Sequence, residues 1–403
     1  MTVAGPVRAR AVARPALALW WAGRAGLFAV VVLMSYLLAL PPARRITGPG
    51  GWLLERFVWW DSFHFLRIAD RGYLPPGLAC CDQAFFPGYP ATIRAAELLT
   101  GGHAALAGLI VTQVAASAAV VLLWLVAVQP GTRAEGGFGR AAPASPLVGR
   151  NAVLLLAAAP YGLFLSSVYS EALFLALSLG AWLAGLRRRW WWAGGLAALA
   201  SATRINGLFL VVALAVMYLA QLRADGRLRP RRDVAALASA PVVVAAYFTY
   251  LHARTGSWND WQEAQALSWD RRTAWPWQGL ANGWTQLTTA PSHDLVISRA
   301  GDLLVAVGGI VLTAVLVHRR RWAEAVLIGL NLSVLLASNM IVSSPRYALT
   351  WFPAYLMAAR WAERGDGGGR WRLGRFVLPV ALILGLPLMV VLSVTFSMHL
   401  WVA

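Results

Sequence analysis

The residues of this chain best suited to chemistry are a carboxylate and a histidine three positions apart, Asp61 and His64. They lie in a stretch that reads WWDSFHFLRIADRGYLPPGLACCDQAFFPGYP from Trp59 to Pro90. A carboxylate can take the proton of an attacking hydroxyl or hold that hydroxyl in line. His64 can orient Asp61, bind a phosphate or complete a metal site, although a lone Asp-x-x-His is weak metal evidence. Both residues also fit a plainer account, in which they are solvated polar groups on a surface helix.

Three more charged residues stand where charge is costly. Arg204 interrupts an otherwise apolar stretch, and Arg346, followed by Tyr347, lies at the mouth of another. An intramembrane guanidinium costs a few kcal/mol even on lenient scales, so it points to function by default. A phosphate-bearing ligand would justify it through bidentate hydrogen bonds. Pairing with Glu171 or with a backbone carbonyl is the structural alternative. Glu171 opens a helix, where the macrodipole favours a carboxylate, and acceptor binding or the fixing of Arg204 are its other possible roles.

The elements that must position these residues follow from composition. The chain has 403 residues, 59% hydrophobic and 13% charged, with a net charge of +18. Apolar runs near the length of about 20 residues that spans a bilayer recur along it, so an all-α polytopic membrane protein is expected. Every basic residue is Arg, and Lys is absent, which excludes a Walker A loop. The apolar run at the N-terminus is too long for a cleavable signal peptide. Cys80 and Cys81 are adjacent, without a C-x-x-C pair, so a structural zinc site is not expected. They are free thiols or a vicinal disulfide, and the sequence does not decide which.

About eleven spans are expected: Ala16–Leu40, Ala104–Val128, Ala152–Val168, Ala172–Leu186, Trp190–Ala202, Ile205–Ala220, Val234–Leu251, Leu303–Val317, Ala323–Val342, Tyr347–Trp361 and Phe376–Met398. They form a single membrane domain, residues 1–403, with two large outer loops at 41–103 and 252–299. Between Trp59 and Gly72 the pattern predicts a short interfacial helix. Its polar face carries Asp61, His64, Arg67 and Arg71, its apolar face Trp59, Phe63, Phe65, Leu66 and Ala69, and Gly72 ends it. A second interfacial helix is expected around Phe85–Leu99. The Gln129–Arg150 loop is expected to be disordered and Gly365–Gly369 to be a linker. The second loop is rich in Trp (Trp258, Trp261, Trp269, Trp275, Trp277), which can stack on sugars or anchor in headgroups.

With the N-terminus in the cytoplasm, Arg is in clear excess in the inner segments and nearly balanced by acids in the outer ones, as the positive-inside rule requires. Both large loops, the Tyr169–Glu171 turn, the break at Arg204 and the Ser343–Arg346 connection then share the outer side.

The run W-W-D-S-x-H-F-L-x-I-A-x-x-G-Y, followed by A-F-F-P-G-Y-P, resembles the first outer loop of the PIG-V mannosyltransferases. Further motifs come in the family's order: Y-S-E at Tyr169–Glu171, A-T-R-x-N-G at Ala202–Gly207, A-Q-x-x-x-W at Ala264–Trp269 and S-P-R-Y-x-x-x-x-F-P at Ser344–Pro353. The second loop departs from related bacterial sequences in opening with Gly256-Ser257-Trp258.

The resemblance implies a GT-C-like fold, a catalytic acid in the first outer loop and a polyprenyl-phosphate sugar donor. By position Asp61 is that acid. Arg204, Arg346 and Tyr347 are then expected at the donor phosphate, and Trp60, His64, Tyr169, Glu171, Asn206 and Gln265 around the substrates. The expected protein is an inverting mannosyltransferase of a bacterial plasma membrane. It would act on a lipid or glycolipid acceptor at the extracytoplasmic face, without metal or cofactor. The rival from another class is a transporter or flippase for a lipid-linked or anionic substrate, which would use the same broken helices and arginines.

Overall fold

The computed structural model describes residues 9–38, 40, 46, 51–75, 80–129, 145–226, 231–290, 293–366 and 369–402. Among them every regular element is helical, and the one β feature is an isolated bridge between Thr273 and Ser338. Most of the Gln129–Arg150 loop (130–144) and part of the Gly365–Gly369 stretch (367–368) lie outside the described residues.

The chain opens with α1 (Ala9–Leu37) and a short α2 (Gly51–Glu55). The expected interfacial helices follow as α3 (Asp61–Arg71) and α4 (Gly88–Glu97). Then come α5 (Ala104–Ala127), α6 (Pro146–Ala157), α7 (Glu171–Leu186), α8 (Trp190–Thr203), α9 (Gly207–Ala224) and α10 (Ser239–Thr255). The second loop folds as α11 (Asp260–Trp269) and α12 (Pro276–Thr288). The chain closes with α13 (His293–His318), α14 (Trp322–Leu336), α15 (Ser344–Ala348), α16 (Phe352–Asp366), α17 (Val377–Val380) and α18 (Leu386–Ser397).

Six described segments are long and apolar enough to cross a membrane: Val12–Leu37, Ala104–Ala127, Gly207–Ala224, Arg232–Thr255, Leu295–His318 and Leu373–Ser397. Three shorter apolar helices, α6, α7 and α14, stand with them. The chain is thus a multi-pass, all-α membrane protein. These nine stand where nine of the eleven expected spans were placed; the other two places hold α8 and the broken pair α15–α16. At 1.5 Å per residue the 14-residue α8 is only about 21 Å long.

Several boundaries differ from expectation for identifiable reasons. The span expected over Ala152–Val168 ends as an α-helix at Ala157 and continues as a 3-10 turn, Pro160–Leu165. Pro160 supplies no N–H and pushes Ala159 into an extended conformation (ψ 127°). Helix α13 begins at His293, within the stretch expected to be the second loop. Arg299 and Asp302 therefore lie on a helix.

The core is built on α5, α7 and α8, each of which buries several Ala. Ala115, Ala116 and Ala119 of α5, Ala172, Ala176 and Ala181 of α7, and Ala193, Ala197 and Ala200 of α8 are all buried. Small residues let apolar helices approach closely, which is how they gain packing without a hydrophobic drive in lipid. Gly88 extends this to α4: a Cβ there would lie 2.7 Å from the Ala202 carbonyl oxygen. Its absence lets the start of α4 touch the end of α8, immediately before Arg204.

The placement of α3 corrects the interfacial reading. Asp61, Phe65 and Ile68 recur at helical spacing on one stripe, and that stripe is buried in protein together with Ser62 and Ala69. Phe65 packs edge-on against Phe85 and Tyr89, a burial worth about 1.5–3 kcal/mol. The stripe taken for polar thus begins with a buried carboxylate, while Arg71 alone of its charges is well exposed, at 68%. Gly72 does close the helix, with φ +72° and its N–H on the Ile68 carbonyl.

Candidate active site

The site begins with the backbone around Asp61. Trp60 has φ +55° and ψ −115°, a conformation that costs a non-glycine residue about 1–3 kcal/mol. Two bonds from the chain before α7 hold this turn. The Tyr169 hydroxyl donates to the Trp59 carbonyl at 2.9 Å, and the Val168 N–H to the Phe57 carbonyl at 3.0 Å. Asp61 thus enters the first turn of α3 with only 6% of its surface exposed.

Buried carboxylates require partners, and Asp61 belongs to an alternating chain of charges. Arg346 Nη1 donates to Asp61 Oδ2 at 2.7 Å, and Arg346 Nε lies 3.2 Å from Glu171 Oε1. Arg204 Nη1 donates to the same Glu171 oxygen at 2.6 Å and to Ser170 Oγ at 3.2 Å. Two acids and two guanidiniums balance, drawn from α3, α7, the break between α8 and α9, and α15. The guanidinium carbons of Arg204, Arg271 and Arg346 lie 5.2, 5.7 and 5.6 Å from the Tyr347 ring centroid. Arg271 Nη1 also donates to the Tyr347 hydroxyl at 3.0 Å, and Nη2 to the Val342 carbonyl at 3.3 Å. The short α15 lies outside the six long spans. Burial alone would raise the Tyr347 phenol, but Arg271, Arg346 and Arg204 outweigh it and pull the group down to about 8.

A second polar cluster fixes the wall opposite. Asp82 is 1% exposed, and its Oδ1 meets His64 Nδ1 at 2.7 Å while Arg67 Nε donates to Oδ2 at 2.8 Å. Arg67 Nη2 donates to Oδ1 at 2.5 Å. Burial pushes the Asp82 carboxyl up, yet the hydrogen bonds from Arg67 and His64 hold it below its ordinary value. The following backbone is pinned by aromatic tips. Tyr247 donates to the Gln83 and Phe85 carbonyls at 2.8 and 3.0 Å, Tyr73 to Phe85 at 2.7 Å and Trp261 Nε1 to Ala84 at 3.1 Å. Phe85 is thereby locked facing the site. Cys80 and Cys81, just before, are joined as a vicinal disulfide.

Between these walls lie two adjoining cavities of about 170 and 160 Å³. Each is smaller than the roughly 300 Å³ at which drug-sized sites begin, so each fits a compact polar group. Asp61, Phe85, Gln265, Arg271, Arg346 and Tyr347 border both. The larger cavity adds Tyr169, Glu171, Arg204, Asn206 and Asn331; the smaller adds Trp269, Arg299, Ser343 and Trp401. Asn206 Nδ2 donates to Asn331 Oδ1 at 2.7 Å.

Eight of the ten residues singled out from the sequence therefore meet here: Asp61, Tyr169, Glu171, Arg204, Asn206, Gln265, Arg346 and Tyr347. The other two border neither cavity. His64 is bonded to Asp82, not Asp61, and stacks on Phe85 at 4.7 Å. Trp60 packs edge-on against Trp401 at 4.9 Å. Of the loop tryptophans, Trp261 and Trp269 line the cavities, whereas Trp258, Trp275 and Trp277 are exposed. Sequence reasoning missed Arg271, Arg299, Asn331 and Asp82. The available signal for Asp82 was an acid directly before A-F-F-P-G-Y-P; nothing in the sequence distinguished Arg271 from its neighbour Arg272.

Comparison with known families bears on this arrangement. The sequence model described as Mannosyltransferase (PIG-V) matches residues 36–242, just over half of the chain. The chain belongs to that family. GPI alpha-1,6-mannosyltransferase 2 of Mus musculus is 35% identical over 173 residues, 42% of this chain and 34% of the relative. The protein of the same name from Rattus norvegicus is 37% identical over 176 residues, 42% and 34% of the two chains. That from Homo sapiens is 36% identical over 162 residues, 40% and 31%. The chain spans about a third of the length of these PIG-V relatives. The family match contains Asp61, Asp82, Glu171 and Arg204; Arg271, Arg346 and Tyr347 lie beyond it.

Proposed function

We propose that this PIG-V family protein transfers mannose, with inversion, from a polyprenyl-phosphate mannose to a lipid or glycolipid acceptor at the outer face of the plasma membrane. One observation carries the reading. Asp61 is a buried carboxylate on the wall common to two small cavities, oriented by Arg346 at 2.7 Å. A base for glycosyl transfer must reach acceptor and donor together.

The step balances with residues of this chain. The acceptor oxygen forms its bond to the anomeric carbon as the bond from that carbon to the phosphate oxygen breaks. The phosphate leaves with the electron pair, and the hydroxyl proton passes to Asp61. Guanidiniums fixed beforehand by carboxylates stabilise the charge appearing on the phosphate without reorganising during the step. Arg346 borders both cavities and serves this role, Tyr347 holds Arg271 beside it, and Arg204 braces Glu171.

The test is transfer in membranes supplied with radiolabelled polyprenyl-phosphate mannose. The wild-type chain is expected to label a lipid product, and Asp61→Asn to lower the rate by about 10²- to 10⁴-fold while remaining folded. Unchanged transfer by Asp61→Asn would remove Asp61 from the reaction. No labelled product from the wild type would remove the activity itself. For the orientation, a cysteine introduced at Trp60 should react with a membrane-impermeant reagent added outside intact cells; labelling from the cytosolic side alone would overturn it.

A further inference from the structure

The four arginines of the site differ in what already occupies them. Arg346 is committed to Asp61 and Glu171, and Arg204 to Glu171 and Ser170. Arg271 has only neutral acceptors, the Tyr347 hydroxyl and the Val342 carbonyl, and among the described residues no carboxylate pairs with it. The smaller cavity also holds Arg299, whose Nη1 is buried without a hydrogen bond and stands 3.7 Å from Asp302 Oδ2. Asp302 in turn accepts the Ser344 N–H at 2.8 Å, which ties it to the opening turn of α15.

The cavities therefore differ in charge. The larger has Asp61 and Glu171 set against Arg204, Arg271 and Arg346, with Asn206 and Asn331 as neutral amides of its own and Gln265 shared with the smaller. The smaller has Arg271, Arg299 and Arg346 facing Asp61 alone. Fixed neutral amides match hydroxyl groups, which both donate and accept. A guanidinium bonded only to neutral acceptors, as Arg271 is, matches a phosphate, and so does the buried Nη1 of Arg299, an unmet donor that costs free energy until an acceptor arrives.

We propose that the phosphate of the donor is held in the smaller cavity by Arg271 and Arg299, and that the sugar ring occupies the larger one. The assignment rests on the polyprenyl-phosphate reading above. Arg204 then serves to hold Glu171 and makes no contact with phosphate. Asp61 borders both cavities.

The experiment measures thermal stabilisation of the full chain in detergent by undecaprenyl phosphate and by the matching polyprenol without phosphate, alongside mannosyl-transfer kinetics. The wild type should be stabilised by the phosphate alone. Arg271→Met and Arg299→Met should each weaken that binding by about tenfold to a hundredfold. They should raise the donor KM by a similar factor and leave the acceptor KM unchanged. Arg271→Lys keeps the charge but loses the planar fork, and it covers the case in which Arg271→Met does not fold; its affinity should fall between those of Arg271→Met and the wild type. Asn331→Ala, in the larger cavity, should bind undecaprenyl phosphate within about twofold of wild type and lose donor affinity through the sugar.

Wild-type phosphate binding in the folded Arg271 and Arg299 variants, or loss of it in Asn331→Ala, would overturn the assignment. If the wild type binds undecaprenyl phosphate but transfers no mannose, the mannosyl reading falls and the phosphate pocket stands. If it does not distinguish the phosphate from the alcohol, both fall.

Discussion

Arg346 reaches across 285 residues of sequence to donate a 2.7 Å hydrogen bond from Nη1 to Asp61 Oδ2, with both side chains almost wholly buried. Charges so placed cannot be separated cheaply. Removing one partner of a buried pair typically costs about 3–5 kcal/mol, mostly from the charge left behind. Here Glu171 gives Arg346 a second anion, whereas Arg346 is the one guanidinium paired with Asp61 among the described residues. The prediction is asymmetric. Arg346→Met should destabilise the protein more than Asp61→Asn does, and the double variant should recover about 1–3 kcal/mol of the summed loss. Denaturation midpoints of the four proteins in one detergent decide it, and additive losses would show that the pair is not coupled.

Tyr169 tests the turn that presents the carboxylate. Its hydroxyl is buried and bonds the Trp59 carbonyl one residue before the left-handed Trp60. Tyr169→Phe keeps the ring packing on Phe164 and Phe396 but leaves that carbonyl without its donor. The expected loss is about 1–3 kcal/mol of stability. The expected kinetic effect is a fall in kcat with little change in donor KM, because aim changes and the cavity does not. A donor KM that rises with kcat intact would show that Tyr169 binds substrate.

Tyr347 predicts how transfer depends on pH. Its phenol lies among three guanidiniums and titrates near 8. Below that pH it is neutral and leaves those charges available. As pH rises through about 8 the proton leaves, and the phenolate competes with the substrate phosphate for the same guanidiniums. The donor KM should therefore climb above that point, with kcat affected less. Tyr347→Phe should remove the rise. It should also weaken donor binding about two- to tenfold at pH 7, because Arg271 loses the hydroxyl that fixes it. A wild-type profile flat to pH 9.5, or an unaltered rise in the phenylalanine variant, would assign the titration elsewhere.

How far the sequence revealed this site depended on distance along the chain. The break at Arg204, the acid at the start of α7 and the Asp61 helix with its closing Gly72 rest on local signals, and each stands where those signals put it. Partners did not follow from local signals. The spacing of Asp61 and His64 suggested that they act together, yet His64 turns to Asp82 across the loop after Gly72. Helical periodicity ranks faces but does not say which face meets protein and which meets lipid, and that is why the stripe beginning at Asp61 was misread. Hydropathy placed α13 at its apolar part only. Its first turns carry Arg299 and Asp302, and backbone hydrogen bonding does not stop where apolar residues do. Arg299 was hidden for that reason.

Asp82 supplies the last prediction, in acid. Arg67 and His64 hold its carboxyl below the ordinary carboxylate value although burial opposes them. A carboxylate with a depressed folded-state value contributes stability above the unfolded value of about 4, and that contribution fades as pH falls through the folded one. Asp82→Asn should therefore be less stable than wild type at pH 7, and the difference should shrink steadily below pH 4. The variant also loosens the His64 ring that stacks on Phe85, since His64 and Arg67 lose the anion that ties α3 to this segment. Affinity for sugar and phosphate should fall together, because Phe85 borders both cavities. Midpoints measured from pH 3 to 8 give the stability half of the prediction. A gap between the two proteins that stays constant across that range would show that the interaction with Asp82 is one of shape rather than charge.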